Sequence, residues 1–285
     1  MSESYYNLFC VRDSEKSIGK VITSLLDQTI SPNEIIIVDD GSTDGTSEIL
    51  ESFHKEYPNM ITVYKTQNKT RDYSRIPTLW NMCLKKDYDF HMVGAGDVSY
   101  EKTYAEKLLA KFESNSNLVI ASGDFEPTVG KSPHGAGRFV RQSFFFKYYD
   151  KYPQIMGYES EILHRALIKG YTIEVFNDVK MEHHEKLGGK HNFEEFGRSM
   201  KALGYHPAYV MGRCFLEFVK NNNVGRKGAM NMFWKYVTYK PQAQGYFSQF
   251  PEDIRKEIRD YQSKETINDI KKLLRNPIKV LKMFK

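Results

Sequence analysis

Four β-branched residues followed at once by two carboxylates, Ile35-Ile36-Ile37-Val38-Asp39-Asp40, restrict this chain more than any other stretch. Such a run suits a short strand buried on both faces of a parallel sheet. Gly41 and Ser42 then turn the chain, and Ser42, Thr43 or Asp44 is placed to cap a helix through Thr46-Ser47-Glu48-Ile49-Leu50. In open α/β sheets, ligands bind beyond the carboxyl ends of the strands. Acids at that edge accept hydrogen bonds from a base or from ribose hydroxyls, or hold a cation. A capped strand-to-helix turn accounts for one Asp and the glycine. It leaves the second carboxylate, whose repulsion from the first needs an offsetting partner.

The neighbouring segments alternate between strand and helix patterns. Leu8 to Val11 reads as a first strand, and a helix follows from about Ser17 to Asp27 with Ile18, Val21, Ile22 and Leu25 on one face. The helix after Asp40 ends near Tyr57-Pro58, and Ile61 to Lys65 is a third strand. Asn68 to Pro77 is a polar, basic loop, and Thr78 to Lys85 a helix. Strands at Asp89 to Val93 and Leu118 to Gly123 flank an amphipathic helix over Tyr100 to Asn115. The Gly-, Pro-, Lys- and Arg-rich stretch 126–142 reads as a loop. Tyr158 to Gly170 reads as a helix, leading into a strand at Tyr171 to Val175. This order predicts an α/β fold with a mixed, mostly parallel sheet flanked by helices. Beyond Gly188-Gly189 only helical patterns remain, broken at Asn221-Asn222-Asn223, Lys240-Pro241 and Asn276-Pro277. The expected division is a domain over residues 1–190 and a helical extension over 191–285.

Composition sets looser bounds. Lys and Arg number 41 against 36 Asp and Glu. The net charge of +5 fits an anionic small molecule or a membrane surface and does not call for nucleic acid. Cys10, Cys83 and Cys214 are few, odd in number and far apart, which excludes a disulfide framework and fits a reducing cytoplasm. The opening residues lack a basic stretch followed by an apolar one, so no signal peptide is expected. No run of about 18 apolar residues suggests a membrane span.

The segment Ile35–Thr46, with the strand, loop and helix pattern of residues 7–29 before it, resembles the nucleotide-binding region of inverting family 2 glycosyltransferases of the GT-A fold. The resemblance extends from about residue 6 to about residue 190. It implies a nucleotide-sugar donor, a divalent cation (Mg²⁺ or Mn²⁺) and direct displacement at the anomeric carbon of the sugar. Asp39, Asp40, Gly41 and Ser42 would then meet the nucleoside. Asp13 joins them, in an Arg12-Asp13-Ser14 loop that differs from the family's usual Tyr-Asn-Glu. Arg71 and Arg75 are placed to bind phosphate oxygens bidentately, and Asn81 matches an Asn common in the family's third helix.

One departure matters for the cation. Where the family carries Asp-x-Asp, this chain has Gly94-Ala95-Gly96, and only the following acid, Asp97, remains. Three readings stay open. Asp97 holds the cation alone or with His183, because Mg²⁺ accepts few protein ligands when phosphates and water complete its shell. Alternatively, basic residues neutralise the diphosphate without metal. In the third reading the chain binds a sugar nucleotide without catalysing. Gly94 and Gly96 are read as allowing close approach of a ligand to the backbone.

Tyr158-Glu159-Ser160-Glu161-Ile162-Leu163-His164-Arg165 resembles the family's Glu-Asp-x-x-Leu-x-x-Arg helix start, which carries the catalytic base. Glu159 takes the base position, and Glu161 is the alternative. Lys131, His134, Arg138 and Arg141 are candidates to meet the diphosphate or a phosphorylated acceptor. At the C-terminus, Ile267, Ile270, Leu273, Leu274, Ile278 and Leu281 recur at near-helical spacing among Lys271, Lys272, Arg275, Lys279, Lys282 and Lys285. That pattern suits a membrane surface or packing against protein. The expected function is inverting sugar transfer to a hydroxyl of a glycan or lipid-linked acceptor, in the cytoplasm or at the inner face of the membrane. The alternatives are a non-catalytic sugar-nucleotide-binding homologue and, last, a sugar-phosphate nucleotidyltransferase. The latter lacks support because no Gly-rich loop follows the first strand.

Overall fold

The computed structural model describes residues 3–125, 132–184, 193–220 and 224–275. The chain divides into two compact units. One comprises Met1–Gln154 and Arg165–Leu187, and the other Ile155–His164 and Gly188–Lys285. The division near residue 188 adjoins the boundary expected from sequence, but the sequence reading did not separate Ile155–His164 from its surroundings.

The first unit is built on one eight-stranded sheet in the order β3-β2-β1-β4-β7-β6-β8-β5. The strands are β1 Tyr5–Val11, β2 Glu34–Asp39, β3 Ile61–Lys65, β4 Phe90–Val93, β5 Val98–Tyr100, β6 Leu118–Asp124, β7 Arg138–Arg141 and β8 Thr172–His183. The helices between them are α1 Ile18–Leu26, α2 Thr46–Glu56, α3 Ile76–Met82, α4 Tyr104–Ser114, α5 Gln142–Tyr148 and α6 Tyr158–Ile168, the last beginning in the second unit. Ile35, Ile36, Ile37 and Val38 are all completely buried, as a strand covered on both faces requires. On α1, Ile18, Val21, Ile22 and Leu25 form the buried stripe expected from their spacing. They pack with Tyr5, Phe9, Phe90, Phe112 and Phe139 into the core of this unit.

Register brings the strand ends together. Val11 lies opposite Asp39, Asp39 opposite Lys65, and Leu8 opposite Val93, all in parallel pairs. The segments leaving β1, β2, β3 and β4 therefore emerge at one edge.

Three expectations change. The helix expected over Tyr100 to Asn115 begins only at Tyr104, because Val98–Tyr100 pairs antiparallel with β8. Arg138–Arg141, expected within a loop, is a strand antiparallel to both β4 and β6. The strand expected over Tyr171 to Val175 runs on to His183 as the twelve-residue β8. Lys131 lies outside the described residues.

The second unit contains α7 Glu194–Ala202, α8 Pro207–Lys220, α9 Gly225–Thr238 and α10 Glu252–Arg275, and no strand among its described residues. Tyr236 Oη donates to the Tyr205 carbonyl at 2.7 Å, and the Phe250 amide to that of Ala202 at 3.1 Å. The expected tail residues Ile278, Lys279, Leu281, Lys282 and Lys285 lie outside the described residues.

Candidate active site

The loop after β2 is held by its own aspartates. Asp39, 1% exposed, accepts the Ser42 amide at 2.9 Å and the Ser47 hydroxyl, which fixes the turn into α2. Gly41 sits at φ +74°, and a Cβ there would stand 2.1 Å from the Asn68 carbonyl oxygen. Only glycine permits that crossing of two loops. The N-cap of α2 is Gly45, not one of the residues expected to cap it, and Asp44 just before it accepts from the Thr46 amide at 3.0 Å.

Asp40 answers the question of the second carboxylate. Its Oδ1 accepts from Thr66 Oγ1 at 2.7 Å and Arg75 Nη2 at 2.9 Å, and its Oδ2 from Asn68 Nδ2 at 2.9 Å and Arg75 Nε at 3.2 Å. Burial pushes this carboxyl up. The hydrogen bonds from Arg75, Thr66 and Asn68 outweigh it and hold the group below the usual carboxylate range. Arg75 is thus engaged by Asp40 rather than presented to a phosphate, a departure from expectation. Arg12 closes the same cluster, donating to the carbonyls of Asp40 at 2.6 Å and Asn68 at 3.1 Å.

Asp13 lies beside this cluster with φ +52°, a conformation non-glycine residues seldom adopt. The Thr43 amide at 2.8 Å and the Thr43 hydroxyl at 3.1 Å bond its Oδ1. The amide bond is the main reason its carboxyl is held low. Exposed Arg71 reaches the Arg12 carbonyl at 2.7 Å and lies 3.7 Å from Asp13. Asp13, Asp39, Asp40, Gly41, Ser42, Arg71 and Arg75 therefore form one connected rim.

The segment after β4 packs against β1 and the loop that follows it. A Cβ on Gly94 would meet the Asn7 side chain and Phe9 at 3.1 Å, and one on Gly96 would meet Val11 Cγ1 at 2.6 Å. These glycines accommodate the side chains of β1 packed against them. Ser17 Oγ donates to the Gly96 carbonyl at 2.8 Å and fixes its backbone.

Asp97 follows directly. Pairing of β5 with β8 sets Val98 opposite His183, and the His184 amide donates to the Asp97 carbonyl at 2.8 Å. His183 Nε2 then lies 3.5 Å from Asp97 Oδ2, with both side chains partly exposed. Two residues 86 positions apart in sequence are thereby brought side by side. Among the described residues no group of three or more His, Cys, Asp or Glu gathers as a metal site. An acid that sequence reading passed over lies nearby. Fully buried Asp124 faces His134, with His134 Nε2 2.8 Å from its Oδ1, and the ring of Phe125 lies between those of His134 and His183, at 4.9 and 5.7 Å. Its signal was present, an acid ending the apolar run of β6 as Asp39 ends β2.

Other candidates fall elsewhere. Asn81 pairs with the backbone of Tyr152, donating to its carbonyl at 2.9 Å and accepting from its amide at 2.8 Å. Its amide ties α3 to a loop instead of facing a ligand. Arg141 lies opposite Phe90, at the far end of β4 from Gly94, and its guanidinium packs over Phe90 and Phe112. Buried Arg138 donates to the carbonyls of Pro133 at 3.0 Å and His134 at 3.1 Å. Glu159 and Glu161 occupy the first turn of α6 and belong to the second unit. Glu159 is partly exposed, whereas Glu161 is buried.

Comparison with known proteins agrees with this architecture. The cholesterol galactosyltransferase of Borreliella burgdorferi is 27% identical over 115 residues, 40% of this chain and 31% of that protein. The minor teichoic acid biosynthesis protein GgaA of Bacillus subtilis is 39% identical over 146 residues, 41% of this chain and 33% of that protein. The chain thus spans about a third of the length of these curated relatives. Among solved structures, the mannosyltransferase PcManGT of Pyrobaculum calidifontis, in complex with GDP-Man and Mn²⁺, is similar at a TM-score of 0.54 and 11% identity, covering 84% of this chain and 71% of that one. S. aureus TarS in complex with UDP gives 0.51 and 15%, covering 82% and 70%. Both share the GT-A fold with this chain. The model of glycosyl transferase family 2 matches residues 8–166, more than half of the sequence, and the chain belongs to that family.

Proposed function

We propose that the chain is an inverting glycosyltransferase that moves a sugar from a nucleotide-diphosphate donor to a hydroxyl of a glycan or lipid-linked acceptor. The observation that carries this reading is the meeting of Asp97 and His183 on the edge where the loops of Asp13 and Asp40 also emerge. The nucleoside would rest against the rim of Asp13, Asp39, Asp40 and Ser42, with Arg71 near its phosphates. Structures of relatives in complex with UDP, and with GDP-Man and Mn²⁺, support a nucleotide donor and a cation in this reading.

A carboxylate and an imidazole 3.5 Å apart fit a hard or borderline divalent cation that keeps most of its shell for phosphate and water. Asp97 and His183 would hold it, and its charge would offset that of the diphosphate. Glu159 is proposed as the base that takes the proton from the acceptor hydroxyl. It sits in the first turn of α6. The similarity to GgaA supports a cell-surface glycan as the class of acceptor. The proposed setting is the cytoplasm or the inner face of the membrane.

The test is transfer from a panel of nucleotide sugars, with donor binding followed by calorimetry. Glu159→Gln is expected to abolish transfer and leave donor binding intact. Donor binding by the unaltered chain without transfer to any acceptor would favour the non-catalytic reading. Absence of nucleotide binding with and without Mn²⁺ would sink the donor site itself.

A further inference from the structure

The hairpin of α8 and α9 carries apolar surface that the second unit leaves uncovered. Met211, Phe215 and Phe218 recur along α8, and Met230, Phe233 and Trp234 along α9. Their exposures run from 39% at Phe218 to 65% at Trp234. A groove of about 290 Å³ runs between the two helices, floored by Cys214 and Ala229. Scattered apolar residues on a surface need no explanation, but a contiguous aromatic and methionine face does.

The charge along these two helices is predominantly positive, with Lys235 paired to Glu194 at 3.0 Å. From Pro207 to Lys240 the sequence holds six Lys and Arg against a single acid, Glu217. That excess equals the formal +5 of the entire chain. Arg226 and Lys227 are exposed at the start of α9, and the Arg226 guanidinium stands 5.7 Å from the centre of the Phe218 ring.

We propose that the α8–α9 face docks on an anionic lipid surface. Its aromatic and methionine side chains would enter the boundary of the acyl chains, and its basic side chains would meet headgroup charge. Charge decides among the occupants. A second copy would bring the same positive excess against the same patch. The sequence of residues 276–285, with Lys279, Lys282 and Lys285 and no acid, would do likewise. Anionic lipid supplies the opposite sign and an apolar layer together. No helix among the described residues is long and apolar enough to cross a membrane, and the contact proposed is that of a helix face lying in the interface. This inference stands apart from sugar transfer, since lipid binding is measured without donor or acceptor.

The experiment is co-sedimentation of the full chain with vesicles of phosphatidylcholine, alone or mixed with phosphatidylglycerol. Binding is expected to the mixed vesicles, to weaken with salt, and to shift tryptophan emission to the blue. Trp80 is buried and Trp234 exposed, so the shift reports on α9. Phe215→Ser combined with Trp234→Ser should lower partitioning about tenfold or more, and Arg226→Glu with Lys227→Glu should weaken it too. These side chains are exposed, and an unchanged circular dichroism spectrum would confirm folding. Failure to bind anionic vesicles would overturn the proposal. So would binding that survives the Phe215/Trp234 change but is lost on Lys279→Glu with Lys282→Glu, which assigns the contact to the C-terminal residues. A dimer in vesicle-free solution that the Phe215/Trp234 change dissociates, without lipid binding, would assign the face to a second copy.

Discussion

Asp97 and His183 stand side by side because β5 and β8 pair, with His183 Nε2 3.5 Å from Asp97 Oδ2. If these two groups hold the cation, Asp97→Asn and His183→Ala should each weaken Mn²⁺-dependent nucleotide binding by roughly tenfold to 100-fold. Binding measured without the cation should change little. Calorimetric titration of UDP and GDP, with and without Mn²⁺, reads both quantities. Equal losses in the two conditions would remove the pair from cation binding.

Gly96 gives a second test. Restoring an acid at the motif position, Gly96→Asp, places a Cβ 2.6 Å from Val11 Cγ1. We expect a loss of about 1–3 kcal/mol in unfolding free energy, with no gain in cation affinity. Val11→Ala in the same chain should recover part of the loss. Urea denaturation measures it, and an unperturbed midpoint for Gly96→Asp would contradict the packing account.

Arg75 and Asp40 make a third. Arg75→Ala leaves a 5%-exposed carboxylate without its charged partner. The cost should be about 1–3 kcal/mol, and Arg75→Lys should restore only part of it, since an ammonium cannot reproduce the two-pronged contact. The Asp40 carboxyl is held below its ordinary value of 3.8. Between that value and the lower folded one, the unfolded chain binds the extra proton. The contribution of Asp40 to stability is therefore complete above about pH 4 and fades as the pH falls further. Asp40→Asn should flatten the acid limb of a stability profile. An unchanged limb would show that the pair contributes nothing there.

His91 is expected to act in a higher window. It is fully buried in β4, its Nε2 is 2.7 Å from Tyr152 Oη, and burial, helped by Arg138, lowers its pKa from 6.5 to about 3. The folded chain keeps this ring neutral while the unfolded chain protonates it. Stability should thus fall as the pH drops from about 6.5 toward 3, with a limiting slope of about 1.4 kcal/mol per pH unit. His91→Gln should reduce that slope. A stability flat from pH 7 to pH 5 in the unaltered chain would count against a neutral, buried His91.

The β2 strand and its turn were legible because burial on both faces leaves a mark in the sequence itself, four β-branched residues in succession. The stripe on α1 was legible for the same kind of reason, a local periodicity. Strand β7 was not, because Arg138 and Arg141 give it the composition of a loop, and only pairing with β4 and β6 extends it. The partners of the candidate site were also hidden. Asp40 meets Arg75 across 35 positions and Thr66 across 26, distances over which side-chain pattern carries no information. Sequence could nominate Asp97 and His183 separately, but their adjacency follows from an antiparallel register that no local rule predicts. The packing role of Gly94 and Gly96 was hidden too, because the β1 side chains that require a missing Cβ lie more than 80 positions away in sequence.

Strand β8 pairs with β6 through its first part and with β5 at its end, and its register shifts between the two. Phe176 faces Gly123, yet Lys180 faces Asp124, so three residues, Asn177, Asp178 and Val179, are looped out before the strand reaches β5. The length of that bulge works as a counting device. Loss or gain of a single residue there would slide the strand end by one place and turn each side chain to the opposite face. The neighbour of Asp97 would then be His184 or Glu182 in place of His183. Which imidazole serves this edge is therefore written in a backbone irregularity several residues upstream.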